Sequence, residues 1–352
     1  MPLFEVTEYD RRVYNEELKD FLPSHIFDLH THVYLKEHLE KPAPGEVRRT
    51  VTWPDLVAED DSVEDLIETY RLMFPDKKVD ALMFSTTKAI EKGNAYIVDC
   101  MKKTGWPGLY FSHPLQSGDE IEREIMKGGF IGLKSYLSLS PKYLPEKEIR
   151  IFDFFPHAQL AALNRMGAIL MLHIPRDGRL KDPVNLAQII EIREKYPDIR
   201  LVIAHIGRAY TATDVGNAFE VLDAAGCGFT FDFTANCSEY AITECLRHAG
   251  PANLMFGTDM PILRMRCRRI DDNGRYVNLV PPGLYGDISG DPHMREVPAD
   301  EADRITFFAY EELLAFKRAV KTLGLTEKDV EDVMCGNAVR LCEAAKRSIY
   351  GK

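Results

Sequence analysis

Between Val79 and Asp259 the chain repeats one pattern, a short apolar run ending on polar residues and then a stretch of helical periodicity. The runs are Val79–Ser85, Leu109–His113, Phe130–Leu137, Ala168–Ile174, Ile199–His205, Gly228–Thr234 and Asn253–Asp259, with an earlier one at His25–Tyr34. Helical stretches fall between them at Val63–Met73, Ala89–Lys103, Asp119–Met126, within Ile151–Arg165, and at Pro183–Lys195, Ala212–Ala225 and Glu239–His248. Strands alternating with helices pair in parallel, and continuous apolar runs suit a sheet buried on both faces. Eight such units predict a closed (β/α)8 TIM barrel of the α/β class. An open doubly wound sheet would carry a glycine-rich phosphate turn after its first strand. That position holds His30-Thr31-His32, and no G-x-G-x-x-G occurs in the chain.

The 352 residues suit a single domain, 1–352, with the barrel core at about 25–261. A polar helix over Glu8–Phe21 forms an N-terminal extension. After Pro261 comes an insert, 262–306, that reads as irregular and rich in Arg, Gly and Pro, and helices at Phe307–Leu323, Glu327–Val333 and Asn337–Ser348 close the chain. The stretch 35–62, with Pro42, Pro44 and Gly45, also reads as irregular. Both inserts suit either lids or contacts in a homo-oligomer.

A formal charge of −11 argues against a nucleic-acid partner, because phosphate contacts need a basic surface. Seven cysteines without a Cys-x-x-Cys spacing read as reduced thiols of a cytosolic protein. The first residues are charged from Glu5 onward, leaving no apolar signal region, and no apolar run reaches the length of a membrane span. The expectation is a cytoplasmic protein with a small-molecule substrate and no membrane contact.

In a parallel barrel, chemistry sits at the carboxyl ends of the strands. Those ends carry His30 and His32 on strand 1, Lys134 on strand 4, His173 on strand 5, His205 on strand 6 and Asp259 on strand 8. Alternation puts Asp28, His30 and His32 on one strand face, and it aligns His173 with Ile169 and Met171, and His205 with Leu201 and Ile203. Imidazoles and a carboxylate gathered at one rim suit a divalent metal, zinc first, with manganese or iron compatible.

Taken in order, Phe27-Asp-Leu-His-Thr-His32, Leu172-His-Ile-Pro175, Ala204-His-Ile-Gly207 and Phe256-Gly-Thr-Asp-Met-Pro261 resemble the amidohydrolase superfamily. The similarity is to its amidohydrolase-related branch, which contains aminocarboxymuconate-semialdehyde decarboxylase and various hydrolases. The tail from Leu323 to Leu341 is similar to that branch as well. The resemblance implies that His30, His32, His173 and Asp259 are metal ligands and that Asp259 is also the general base. It makes His205 either a ligand of a second metal or a group contacting substrate or water. Lys134, in Gly132-Leu-Lys-Ser-Tyr136, resembles the lysine that CO2 carboxylates to bridge two metals; its bland reading is an ordinary ion pair. Decarboxylases of the branch commonly lack a lysine here, so the resemblance implies a hydrolase of a small anionic amide, ester or lactone, with a decarboxylase as the alternative.

On the substrate side, Arg176 and Arg208 each lie three residues beyond a presumed ligand and could clamp a carboxylate or phosphate. Tyr136 and His113 lie near strand ends, Tyr136 as a pocket residue and His113 as a structural one. The run Arg264-Met-Arg-Cys-Arg-Arg269 reads as a solvated charge cluster, or as a device for recruiting an acidic substrate.

Overall fold

The computed structural model describes residues 3–40, 49 and 54–351. Part of the 35–62 stretch, including Pro42, Pro44 and Gly45, lies outside the described residues. Eight parallel strands carry the fold: β1 (His25–His32), β2 (Lys78–Phe84), β3 (Tyr110–Phe111), β4 (Gly132–Lys134), β5 (Ile169–Leu172), β6 (Arg200–Ile203), β7 (Thr230–Asp232) and β8 (Leu254–Met255). β3 to β8 form one ladder in chain order, and β1 pairs with β2. A bridge between Met83 and Gly108 joins β2 to β3. A second bridge, Thr31 to Met260, with Leu29 N–H donating to the Phe256 carbonyl at 3.0 Å, joins β8 back to β1. The ring of strands is the predicted (β/α)8 barrel.

Apolar filling explains why these runs became strands. Ile169, Leu170, Met171 and Leu172 have no exposed surface, because barrel side chains and surrounding helices cover the two faces of each strand. The helices begin where their sequences offer caps. Ser62 with Asp65 and Ser117 with Glu120 form capping boxes, and Asp182 caps a helix with Pro183 in its first turn.

Three expectations need correction. The N-terminal helix is α-helical only over Glu8–Val13 and widens over Tyr14–Leu18. The helix expected at Ala212–Ala225 is two, Ala212–Val215 and Ala218–Ala224, broken at Gly216 with φ 51°. The 262–306 insert is not irregular: it holds a three-stranded sheet of β9 (Arg268–Asp272), β10 (Arg275–Val280) and β11 (Met294–Glu296). Asn273 and Gly274, with φ 55° and 83°, form the two-residue left-handed turn that joins antiparallel β9 and β10.

The arginine run is not a solvated cluster either. Arg264 packs over Phe4 and lies 3.9 Å from Asp61, Arg266 pairs with Asp10 at 2.7 Å, and Arg268 with Glu311 at 3.3 Å. Asp10 is fully buried and also accepts from the Thr306 hydroxyl and from Thr7, so it ties the N-terminal helix to the insert. Burial alone would raise its pKa, but the hydrogen bond and charge of Arg266 outweigh it and hold the carboxyl below its usual value. A carboxyl whose native pKa is depressed stabilises the fold above its unfolded value of about 3.9, and that stability is lost as pH falls through the native value. Asp10→Asn is therefore expected to cost about 3 kcal/mol at pH 7, as loss of one buried ion partner does, and less near pH 3. Urea midpoints at the two pH values check this; an equal cost at both would rule it out.

Candidate metal centre

His30 and His32 close β1, and each ring is oriented by an acceptor behind it. His30 Nδ1 meets Asp232 Oδ2 at 3.0 Å, and His32 Nδ1 meets the Ser85 carbonyl at 2.7 Å. His205 Nδ1 meets the Thr234 carbonyl at 2.9 Å. A carbonyl only accepts, so the neutral His32 and His205 rings carry their hydrogen on Nδ1, which leaves the Nε2 lone pair for a ligand; ionised Asp232 imposes the same tautomer on His30. His30 Nε2 and His32 Nε2 lie 3.5 and 3.3 Å from Asp259 Oδ1. Nitrogen and oxygen lone pairs that converge this way need a cation between them. Burial, and then the Lys134 charge, push the pKa of His30 down to about 4, so near neutral pH that cation is not a proton on His30.

The tightest group is His30, His205 and Asp259, whose ligand atoms lie within 4.8 Å of one another and could hold a metal ion. His32 reaches the same carboxylate from the side. His173 stands next to His205, ring centroids 5.3 Å apart, and against Tyr136 at 4.6 Å. Its buried Nδ1 has no hydrogen-bond partner. Lys134 is buried with Nζ over the Phe84 ring at 5.2 Å. Burial pushes its pKa down to about 8, against the pull of Asp259 and Asp232. Burial works against the ionised form of Asp259 too, but its contacts with the His32, His30 and His205 rings hold its pKa well below the ordinary value.

The geometry of Asp259 comes from the barrel seam. Its backbone takes φ 50°, and its N–H and that of Thr258 both donate to the His30 carbonyl, at 2.6 and 3.2 Å. Asp28 belongs to this seam and not to the cavity. Its carboxylate accepts from the Tyr70 hydroxyl at 2.6 Å, from the Thr258 N–H at 2.9 Å and from the Thr258 hydroxyl. The register irregularity between Asp28 and Thr31 separates it from the histidines whose face it was expected to share. His205 opens a left-handed turn in which His205, Ile206, Gly207 and Arg208 all have φ between 50° and 58°.

These groups line a cavity of about 390 Å³ that also takes in Tyr136, Arg208, Tyr210, Arg269 and Tyr276. Arg208 donates to the Ile174 and Pro175 carbonyls at 3.3 and 3.0 Å. Arg176 is not among the lining residues; it pairs with Asp182, which caps the following helix. His113 is outside the cavity too, and its Nδ1 accepts from the Leu115 N–H.

Asp232 was not anticipated. It is fully buried, with Oδ2 on His30 Nδ1 and Oδ1 accepting from the His205 N–H at 2.7 Å. The signal was present in Gly228-Phe-Thr-Phe-Asp-Phe-Thr234, where an aspartate stands inside an otherwise apolar strand.

A parallel barrel with imidazoles and a carboxylate gathered at the carboxyl ends of its strands has the architecture of the metal-dependent barrel enzymes. The amidohydrolase family model matches residues 28–342, and the chain belongs to that family. Among solved structures, an amidohydrolase from Burkholderia multivorans with bound HEPES superposes with a TM-score of 0.56 at 11% identity, covering 90% of this chain and 99% of that one. A protein described as a probable 2-pyrone-4,6-dicarboxylic acid hydrolase from Acinetobacter baumannii, with citric acid bound, gives 0.54 at 13% identity and covers 90% and 99%. A dihydroxybenzoic acid decarboxylase from a Polaromonas species, with bound manganese and the inhibitor 2-nitroresorcinol, gives 0.53 at 15% identity and covers 93% and 100%. At these identities the likeness is one of fold. No match was found among curated proteins. Among the described residues, no helix is long and apolar enough to cross a membrane.

Loss of an acceptor behind a ligating histidine typically costs about 10–100-fold in metal affinity. Asp232→Asn is expected to weaken zinc binding by that factor, measured by competition with a chromophoric chelator. Unchanged affinity would remove Asp232 from the centre.

Proposed function

We propose that this protein is a metal-dependent hydrolase of a small anionic amide, ester or lactone, using zinc, with manganese or iron as alternatives. The observation that carries this reading is the buried convergence of His30, His205 and Asp259 in a cavity whose wall includes Lys134, Arg208 and Arg269. The unpartnered Nδ1 of buried His173 and the Nδ1-protonated tautomers of its neighbours suit a metal better than a dry polar core. His30, His32, His173, His205 and Asp259 would hold it. When bound, a divalent cation supplies Lewis acidity toward water and toward a substrate carbonyl.

The remaining steps belong to the side chains. Asp259, kept ionised by its surroundings, accepts the proton of the attacking water and returns it to the leaving group. Lys134 stabilises negative charge developing on the carbonyl oxygen. Tyr136, packed against His173, and Arg208 orient the substrate. Carboxylation of Lys134 belongs to a two-metal version of this scheme, and a buried amine with a lowered pKa is suited to it. The second reading is a decarboxylase of a small unsaturated or aromatic acid. It is favoured by the finding of one metal-capable group of three among the described residues.

Elemental analysis of protein purified without chelators is expected to give one or two transition-metal ions per chain, and chelation is expected to abolish turnover that zinc or manganese restores. About two ions per chain supports hydrolysis with a carboxylated Lys134; about one makes decarboxylation an equal contender. Screening then separates ring opening of carboxylated lactones from CO2 release by aromatic acids. With the substrate so found, Asp259→Asn is expected to lower kcat by about 10²–10⁴-fold. A metal-free protein, or full activity in that variant, would overturn the proposal.

A further inference from the structure

Of the four arginines in the run 264–269, Arg264, Arg266 and Arg268 face carboxylates. Arg269 has none among the described residues, and the wall of the cavity contains it. Its Nε donates to Asn278 Oδ1 at 2.9 Å and its Nη1 to the Ala235 carbonyl at 2.5 Å, which leaves Nη2 without a protein acceptor among the described residues. The guanidinium is enclosed by the rings of Tyr210, Tyr276 and Phe308, with centroids 4.5 to 4.6 Å away. On the same two tyrosines rests Arg179, which is neutralised by Asp214 at 2.7 Å.

Arg208, also in the cavity wall, has no carboxylate partner among the described residues either. Its Nη1 is used by two carbonyls, and Nε and Nη2 have no acceptor there. It lies close enough to His173 and Tyr136 to bias both electrostatically, and both Arg208 and Arg269 act on Tyr210. Tyr210 and both arginines line the same cavity. A half-buried cation in an aromatic cage has lost part of its hydration, and cation–π attraction of about 0.5–2 kcal/mol offsets only part of that loss. The missing counter-ion is then a ligand, and a guanidinium fork presented edge-on beside aromatic faces suits a flat carboxylate.

We infer that Arg208 and Arg269 clamp a carboxylate that stays on the substrate through the reaction, distant from the bond that breaks, and that Arg269, carried by the insert, sets this specificity. The inference rests on the cavity being the active site. Isophthalate serves as a planar dianionic probe, with neutral benzamide and inorganic phosphate beside it, titrated calorimetrically into chelator-treated and zinc-loaded protein. Isophthalate affinity is expected to fall at least about 10-fold in Arg269→Met and Arg208→Met in both preparations, as it does when a charged hydrogen-bond partner is lost. Arg269→Lys, which keeps the charge without the fork, is expected to lose about half of that binding energy. Asn278→Ala, which removes only the acceptor behind Nε, is expected to stay within about 3-fold, distinguishing anion binding from a purely structural tie.

Isophthalate affinity unchanged in Arg269→Met overturns the inference, as does benzamide binding as tightly as isophthalate, or phosphate binding more tightly. If Arg269→Met does not fold, Arg269→Lys decides: affinity equal to the parent chain overturns the inference. Because the chelated preparation reads the clamp alone, arginine-dependent binding in a protein that proves metal-free sinks the hydrolase reading and leaves the clamp standing.

Discussion

The site depends on the seam where the first and last barrel strands meet. Asp28 accepts from both the N–H and the hydroxyl of Thr258, and the His30 carbonyl accepts from the N–H groups of Thr258 and Asp259. Those bonds bend the backbone after β8 so that Asp259 turns back over β1, with its carboxylate facing the imidazoles of His30 and His32. Burial pushes the pKa of Asp28 up to about 7, so the seam carboxyl is held at a desolvation cost that its four hydrogen bonds only partly offset. Opening the barrel here would separate the carboxylate from the histidines, so closure of the fold and assembly of the centre are one event.

Behind the centre, Asp232 connects two strands that are not neighbours. One oxygen meets the His30 ring on β1, and the other accepts the His205 N–H after β6. The ring orientation of one histidine and the backbone entry to another are thereby set by a single buried side chain. Burial favours neutral imidazoles and a less protonated Lys134, so the interior presents lone pairs with few competing protons. Such an environment is costly without a cation and suited to one.

The barrel was legible because its strands are buried on both faces and read as apolar runs, and because the candidate ligands stand at the ends of those runs. His30, His32, His173, His205, Lys134 and Asp259 all reach one cavity. What escaped reading has physical reasons. Asp28 was assigned by strand alternation to the ligand face, and a register irregularity cancels that parity. Asp232 acts behind the histidines, a role that rim residues do not announce. The insert lacked helical or barrel periodicity, and its one local signal, the Asn273-Gly274 turn between β-branched and aromatic residues, outranked its overall composition. Arg176 and Arg208 occupy equivalent places after two histidines, yet only Arg208 reaches the cavity, while Arg176 pairs with Asp182, the N-cap of the following helix. Spacing could not distinguish them.

The difference between those two arginines lies in the backbone. After His173 the chain leaves β5 in ordinary conformations, whereas after His205 it makes a left-handed turn through Arg208. Each non-glycine residue in that conformation costs about 1–2 kcal/mol, so His205, Ile206 and Arg208 represent stored strain that the surroundings must hold. Asp232 holds one end through the His205 N–H, and the carbonyls of Ile174 and Pro175 hold the other through Arg208. Gly207 sits where a Cβ would come within 2.5 Å of Leu180, so the turn is also packed against its neighbour. One rigid four-residue turn thus carries a histidine at the metal end and an arginine toward the aromatic wall. The strain fixes the separation between His205 of the candidate metal group and the guanidinium of Arg208, a spacing that a relaxed loop would leave free to vary.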